Sequence, residues 1–162
     1  MIRAAASALG ETKTAEAYEV LTKLLEVSSW RDNIKVSALS GLRGLQDKRA
    51  LDMAFRYAEK GNLPPVRAAA LRLLGTIGKD NPRVFTVISD ILTKAFDAGD
   101  FSLGLASAEA LVGLGDPRGL VVLDQIRQSA SSNPRMVEML TGFRDRLQKA
   151  TTEAANPGAS KP

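Results

Sequence analysis

VRAAALRLLG, residues 66–75, is the stretch on which the fold is decided. Val66, Ala70 and Leu74 stand four residues apart, so a helix places all three on one face, with the small residue where a neighbouring helix must come closest. The same ten-residue pattern aligns without gaps to MIRAAASALG from Met1, IKVSALSGLR from Ile34 and LGLASAEALV from Leu103, starts that lie 33, 32 and 37 residues apart. In all four copies the first position is apolar (Met1, Ile34, Val66, Leu103), the fifth is small (Ala5, Ala38, Ala70, Ser107) and the ninth is leucine (Leu9, Leu42, Leu74, Leu111). Three copies continue the stripe at the twelfth position with Leu45, Ile77 and Leu114. A period in this range is the signature of a repeat architecture.

A second signal follows these helices. Asp47-Lys48-Arg49-Ala50-Leu51 and Asp116-Pro117-Arg118-Gly119-Leu120 are 69 residues apart, and Asn81-Pro82-Arg83-Val84 is a variant. Asp or Asn suits the N-cap and Pro suits the first helical position, so a helix is expected to open at each, with Asn133-Pro134 giving the signal once more and Pro65 opening the third repeated helix. The partner helices are expected over roughly 15–27, 49–59, 82–98 and 119–129. Leu21, Leu24 and Leu25, then Ile88, Ile91 and Leu92, then Val121, Val122, Leu123 and Ile126, would supply apolar faces. No segment alternates as a strand would. The class expected is all-α: an α-solenoid, a HEAT/armadillo-like superhelix of about four to five antiparallel hairpins.

The helix after Pro134 carries Met136, Met139, Leu140, Phe143 and Leu147 but abandons the small-residue code and turns charged, as a terminal cap would. The domain is therefore expected over 1–149, with 150–162 a disordered tail or linker because TTEAANPGASKP lacks large apolar residues. Residues 1–10 correspond to the second helix of a hairpin, so further sequence is expected ahead of Met1 in the parent protein.

Composition narrows the chemistry. The 162 residues contain no His and no Cys, which removes the commonest proton shuttle, the commonest zinc ligands and every thiol nucleophile. No catalytic residue, cofactor or metal is expected in this chain. The balance of 22 basic to 18 acidic residues is a mixed surface rather than a nucleic-acid footprint, and no apolar run is long enough to span a membrane. Gly41, Gly44, Gly75 and Gly78 form no phosphate loop. They read as close-packing or helix-terminating positions.

The decapeptide at Val66, with the turn Gly115-Asp116-Pro117-Arg118, resembles short HEAT-like repeats of the phycobilisome-lyase type over about residues 1–130. Tetratricopeptide and ankyrin signatures are absent. The longer stretch SSWRDNIKVSALSGLRGLQDKRALDMAFRYAEKGNLPPVRAAALRLLG, residues 28–75, is similar to the C-terminal repeat region of bacterial zinc aminopeptidases of the aminopeptidase N type. That resemblance implies a non-catalytic C-terminal domain that shapes or closes access to a metallopeptidase catalytic domain elsewhere. With no His, no metal ligand carries over to any position here. The alternative is a free-standing scaffold that binds a protein; a nucleic-acid module ranks below both.

The candidate interaction surface consists of Lys35 and Arg67 at the second repeat position, Arg43 and Arg72 on the same two repeats, and Trp30. The basic side chains read either as a strip for an acidic partner or as solvated arms covering their neighbours, and Ile2, Gly104 and Glu109 interrupt the strip. Trp30 is an interface anchor if exposed; the expectation is that it packs beneath its turn. Paired with Asp32 it could suggest a HEAT-like DNA glycosylase, which a single aromatic residue supports poorly. Arg49, Arg83 and Arg118 read as a structural element of the turns, paired with Asp47 or Asp116 of neighbouring repeats.

Overall fold

The computed structural model describes residues 2–155, and among these are nine α-helices, two short 3-10 turns and no strand. The helices are α1 Ile2–Thr12, α2 Ala15–Leu24, α3 Asn33–Leu45, α4 Leu51–Ala58, α5 Pro64–Ile77, α6 Pro82–Asp97, α7 Phe101–Leu114, α8 Arg118–Ser129 and α9 Pro134–Ala155. The repeated decapeptides from Ile34, Val66 and Leu103 lie within α3, α5 and α7, and the described residues of the first lie within α1. The described residues fall into two compact units that meet between Gly78 and Lys79 in the sequence. Helix α9 also runs six residues into the segment expected to be an irregular tail, because residues 150–155 include no Pro or Gly to stop it; the remainder of that expected tail lies outside the described residues.

In the first unit α1 packs against α3 and α2, and α5 packs against both α3 and α4. The twelfth-position stripe is buried as expected at Leu45 and Ile77, and Ala38, Leu42, Ala70 and Leu74 are wholly inaccessible. Glycine sets the spacing between α1 and α3. A Cβ on Gly41 would stand 2.5 Å from the Ala6 carbonyl oxygen and 2.6 Å from a Leu21 methyl, and one on Gly10 would collide with the Gly41 carbonyl. Lys13, at φ 56° in the turn between α1 and α2, sends its ammonium to the Gly44 carbonyl and, at 3.4 Å, to that of Leu45. A cation there meets the negative end of the α3 dipole and satisfies carbonyls that lack intrahelical partners.

The first copy departs from the repeat code. Ala5 is exposed and Leu9 only half-buried, whereas Ala6 and Gly10 are buried. The buried stripe in α1 is thus one position later than the alignment implies, because the contact with α3 is backbone to backbone at Gly41 and selects the smallest adjacent pair, Ala6 and Gly10.

In the second unit α6 packs against α7, and α9 packs against α8 and α7. At the expected start signals Asn81 accepts from the Arg83 N–H at 2.9 Å, Asp116, just ahead of the α8 N-cap Pro117, from Arg118 at 2.9 Å and Asn133 from Met136 at 3.2 Å; Asp100, not among those signals, caps α7 by accepting from Leu103 at 3.1 Å. Gly115, at φ 70°, ends α7 in the left-handed conformation that glycine adopts most easily. Ser107, Leu111, Leu114, Ile88, Leu92 and Leu123 are buried, but Val121 is 61% exposed, so the expected α8 face is narrower than its run of apolar residues suggested. Gly119, Leu123 and Ile126 make the buried stripe, and Val121 falls on the opposite side of the helix.

Candidate interaction surface

Trp30 lies in the 3-10 turn Trp30–Asp32 between α2 and α3, and its side chain is 81% exposed. The expectation that it packs beneath the turn is overturned. The backbone explains why: Arg31 (φ 52°) and Asp32 (φ 53°) are both left-handed, which turns the chain abruptly into α3 and leaves Trp30 on the outside of the bend. Two consecutive non-glycine residues in that region cost on the order of 1–2 kcal/mol each, so the surrounding bonds must hold them. Ser29 supplies two: its carbonyl accepts the Asp32 N–H at 3.1 Å, and its hydroxyl accepts the Ile34 N–H at 3.0 Å. Asp32 then pairs with Lys35 at 3.0 Å, one turn into α3. A large aromatic ring is therefore presented to solvent from a locally bonded, strained turn, with Val27 41% exposed three residues before it.

The cations of the expected strip have engagements of their own. Lys35 is committed to Asp32, which joins it to the Trp30 turn. Arg67 turns inward, and its Nε donates at 3.0 Å to the carbonyl of Ala58, the last residue of α4. Arg43 is eight residues beyond Lys35, about 12 Å along α3, and neither it nor Arg72 is an unengaged cation. Of the five candidate residues, Trp30 and Lys35 are linked through one turn, since Lys35 pairs with Asp32 two residues after Trp30. The same Lys35 contact occupies Asp32, which removes the acidic residue from any Trp30–Asp32 glycosylase pairing.

Arg49 and Arg118 pair with the expected aspartates, Asp47 and Asp116, but each within its own turn rather than from a neighbouring repeat. Arg49 pairs with Asp47 of its own turn, Nε to Oδ2 at 2.9 Å and Nη2 to Oδ2 at 2.6 Å, and Arg118 pairs with Asp116 in the same way at 3.1 and 2.6 Å. The link to the preceding hairpin is aromatic instead. The Arg49 guanidinium lies 4.1 Å from the centre of the Tyr18 ring on α2, and that of Arg118 lies 4.1 Å from the Phe85 ring on α6. Hydrogen bonding from Arg49 holds the Asp47 carboxyl below its ordinary pKa, and Arg118 does the same to Asp116, while burial pushes the Tyr18 hydroxyl up. These rings lie some thirty residues before their arginines, so turn spacing alone could not reveal them. The similar separations, 31 residues from Tyr18 to Arg49 and 33 from Phe85 to Arg118, were the available signal.

No group of three or more His, Asp, Glu or Cys side chains among the described residues is arranged to hold a metal ion. Among the described residues no helix is long and apolar enough to cross a membrane.

Comparison with protein families matches the PBS lyase HEAT-like repeat to residues 2–26, the hairpin of α1 and α2. Comparison with curated proteins and with solved structures returns no match. The matched hairpin, continued by helices that repeat its pattern, gives the chain the α-solenoid class of fold and the character of a HEAT-like repeat scaffold. The match frames a repeated helix and the partner that follows it as one unit.

Proposed function

We propose that this chain is a non-catalytic HEAT-like repeat scaffold that docks a protein partner through the Trp30 turn. The observation that carries the reading is the 81% exposure of Trp30 on a turn held by Ser29 and by the Asp32–Lys35 pair. Exposed tryptophans on ordered backbone are the commonest interface hot spots, because the ring buries a large area on binding while losing little side-chain freedom. The absence of His and Cys from the sequence supports a role without chemistry of its own.

The similarity of residues 28–75 to the repeat region of aminopeptidase N type enzymes supports a finer reading, in which the chain is the C-terminal domain of a bacterial metallopeptidase and the partner surface belongs to the catalytic domain. The Trp30 turn falls inside that stretch. The alternative, a free-standing scaffold for another protein, uses the same anchor.

One labelling experiment tests both levels. Trp30 is the only tryptophan, so growth on 5-fluorotryptophan gives the chain a single fluorine resonance. On titration with a zinc aminopeptidase catalytic domain of this type, the resonance is expected to move as Trp30 is covered. Trp30→Ala is expected to weaken that association by about 2 kcal/mol or more, roughly thirtyfold. A resonance that stays at its free position removes the peptidase partner; association that survives Trp30→Ala unchanged removes the anchor.

A further inference from the structure

The second unit contains a cavity of about 450 Å³, within the usual span of small-molecule sites, roughly 300–1,000 Å³. It opens where α6 gives way to α7 and α8 to α9. Phe96, Phe101, Ile126 and Met136 form its apolar wall, with Asp97 and Gln125 among its polar residues.

Three features distinguish it from a packing defect. Phe96 is seated on the α7 backbone, since a Cβ on Gly104 would stand 2.6 Å from its ring; the missing side chain of glycine is what lets the ring come this close. Phe101 meets Phe96 edge to face, with ring centres 6.0 Å apart, yet remains 46% exposed. Burying the outer half of a phenylalanine would be favourable, so a ring held at the mouth in this way is an unused contact area. The charge is also one-sided. Asp97 is the single ionisable side chain lining the cavity, no Lys or Arg shares it, and among the described residues Asp97 has no hydrogen bond or ion pair. The nearest lysine along α6, Lys94, is bound to Asp90 at 2.7 Å.

From this arrangement we propose that the cavity binds a small organic cation with an apolar body, of the aryl-alkyl ammonium class. The apolar body would lie against Phe96, Phe101 and Met136, and the ammonium would reach Asp97, with the aromatic faces adding attraction for the same charge. An anionic molecule of equal size would set its charge against an unneutralised carboxylate. The inference concerns a different unit from the Trp30 turn and does not depend on the docking role proposed above.

The test uses the full chain, labelled with nitrogen-15 and titrated separately with 2-phenylethylammonium, 2-phenylethanol and 3-phenylpropionate at constant ionic strength. Saturable shifts in the amides of 96–101 and 125–136 are expected with the ammonium, weaker binding with the alcohol, and none with the carboxylate. Asp97→Asn, a change at an exposed position, is expected to lower the ammonium affinity about tenfold, towards that of the alcohol, while leaving the alcohol unchanged. Phe101→Ala is expected to weaken both, with thermal unfolding of each variant monitored to show that the fold persists. Equal binding of the ammonium and the carboxylate, an unaltered ammonium affinity in Asp97→Asn, or no saturable shift with millimolar ammonium would each overturn the proposal.

Discussion

At the scale of single residues, the first unit depends on an absent side chain. Gly41 lies inside α3, where alanine would ordinarily stabilise a helix by about 1 kcal/mol. Its missing Cβ instead admits the Ala6 carbonyl at 2.5 Å, which belongs to backbone and cannot swing aside. Gly41→Ala is therefore expected to destabilise by about 2 kcal/mol net, measured by urea unfolding; a neutral or stabilised variant would show that α1 and α3 are further apart than described. Ala70 is the same argument at the repeated small position, fully buried in α5, and Ala70→Leu is expected to cost roughly 1–3 kcal/mol. Trp30 behaves in the opposite way. With little of its ring packed against the chain, Trp30→Ala is expected to change stability by no more than about 0.5 kcal/mol, a result that a buried tryptophan would not allow.

At the scale of elements, the Asp–Arg turns act as pins between successive hairpins. The Asp116 carboxyl is held below its ordinary value of 3.8 by Arg118, so the folded chain takes up that proton at lower pH than the unfolded chain does. The pin therefore contributes its full stabilisation above the ordinary carboxylate value and loses it as pH falls through that value towards the depressed one. Asp116→Asn is expected to be less stable than the parent at pH 7, with the gap closing below about pH 4; a gap independent of pH would mean that the charge of Asp116 does not matter. Helix positions were legible in the sequence because punctuation and periodicity agreed: Asn81 with Pro82, and Asn133 with Pro134, start helices where their spacing says they should. What could not be read was anything set by a partner distant in sequence. Tyr18 beneath Arg49, the shift of the α1 stripe to Ala6 and Gly10, and the turning of Arg67 to the Ala58 carbonyl all depend on which backbone lies across from the residue.

At the scale of the whole molecule, a chain of helices that repeat a HEAT-like pattern is of a class suited to presenting surfaces. Purified and supplied with zinc, it is expected to hydrolyse no aminoacyl substrate, as followed by release of a chromogenic amine; activity that survives repurification would contradict the scaffold reading. The candidate surface was only partly legible in advance. Trp30 was recognisable as unusual, but its exposure comes from the left-handed pair Arg31 and Asp32, a conformation uncommon outside glycine that their spacing does not announce. The most direct test of the account is collisional quenching of the Trp30 emission by acrylamide in the free chain. The account predicts emission from a solvated indole, quenched nearly as readily as a free tryptophan amide. A shielded, blue-shifted and weakly quenched emission would contradict it.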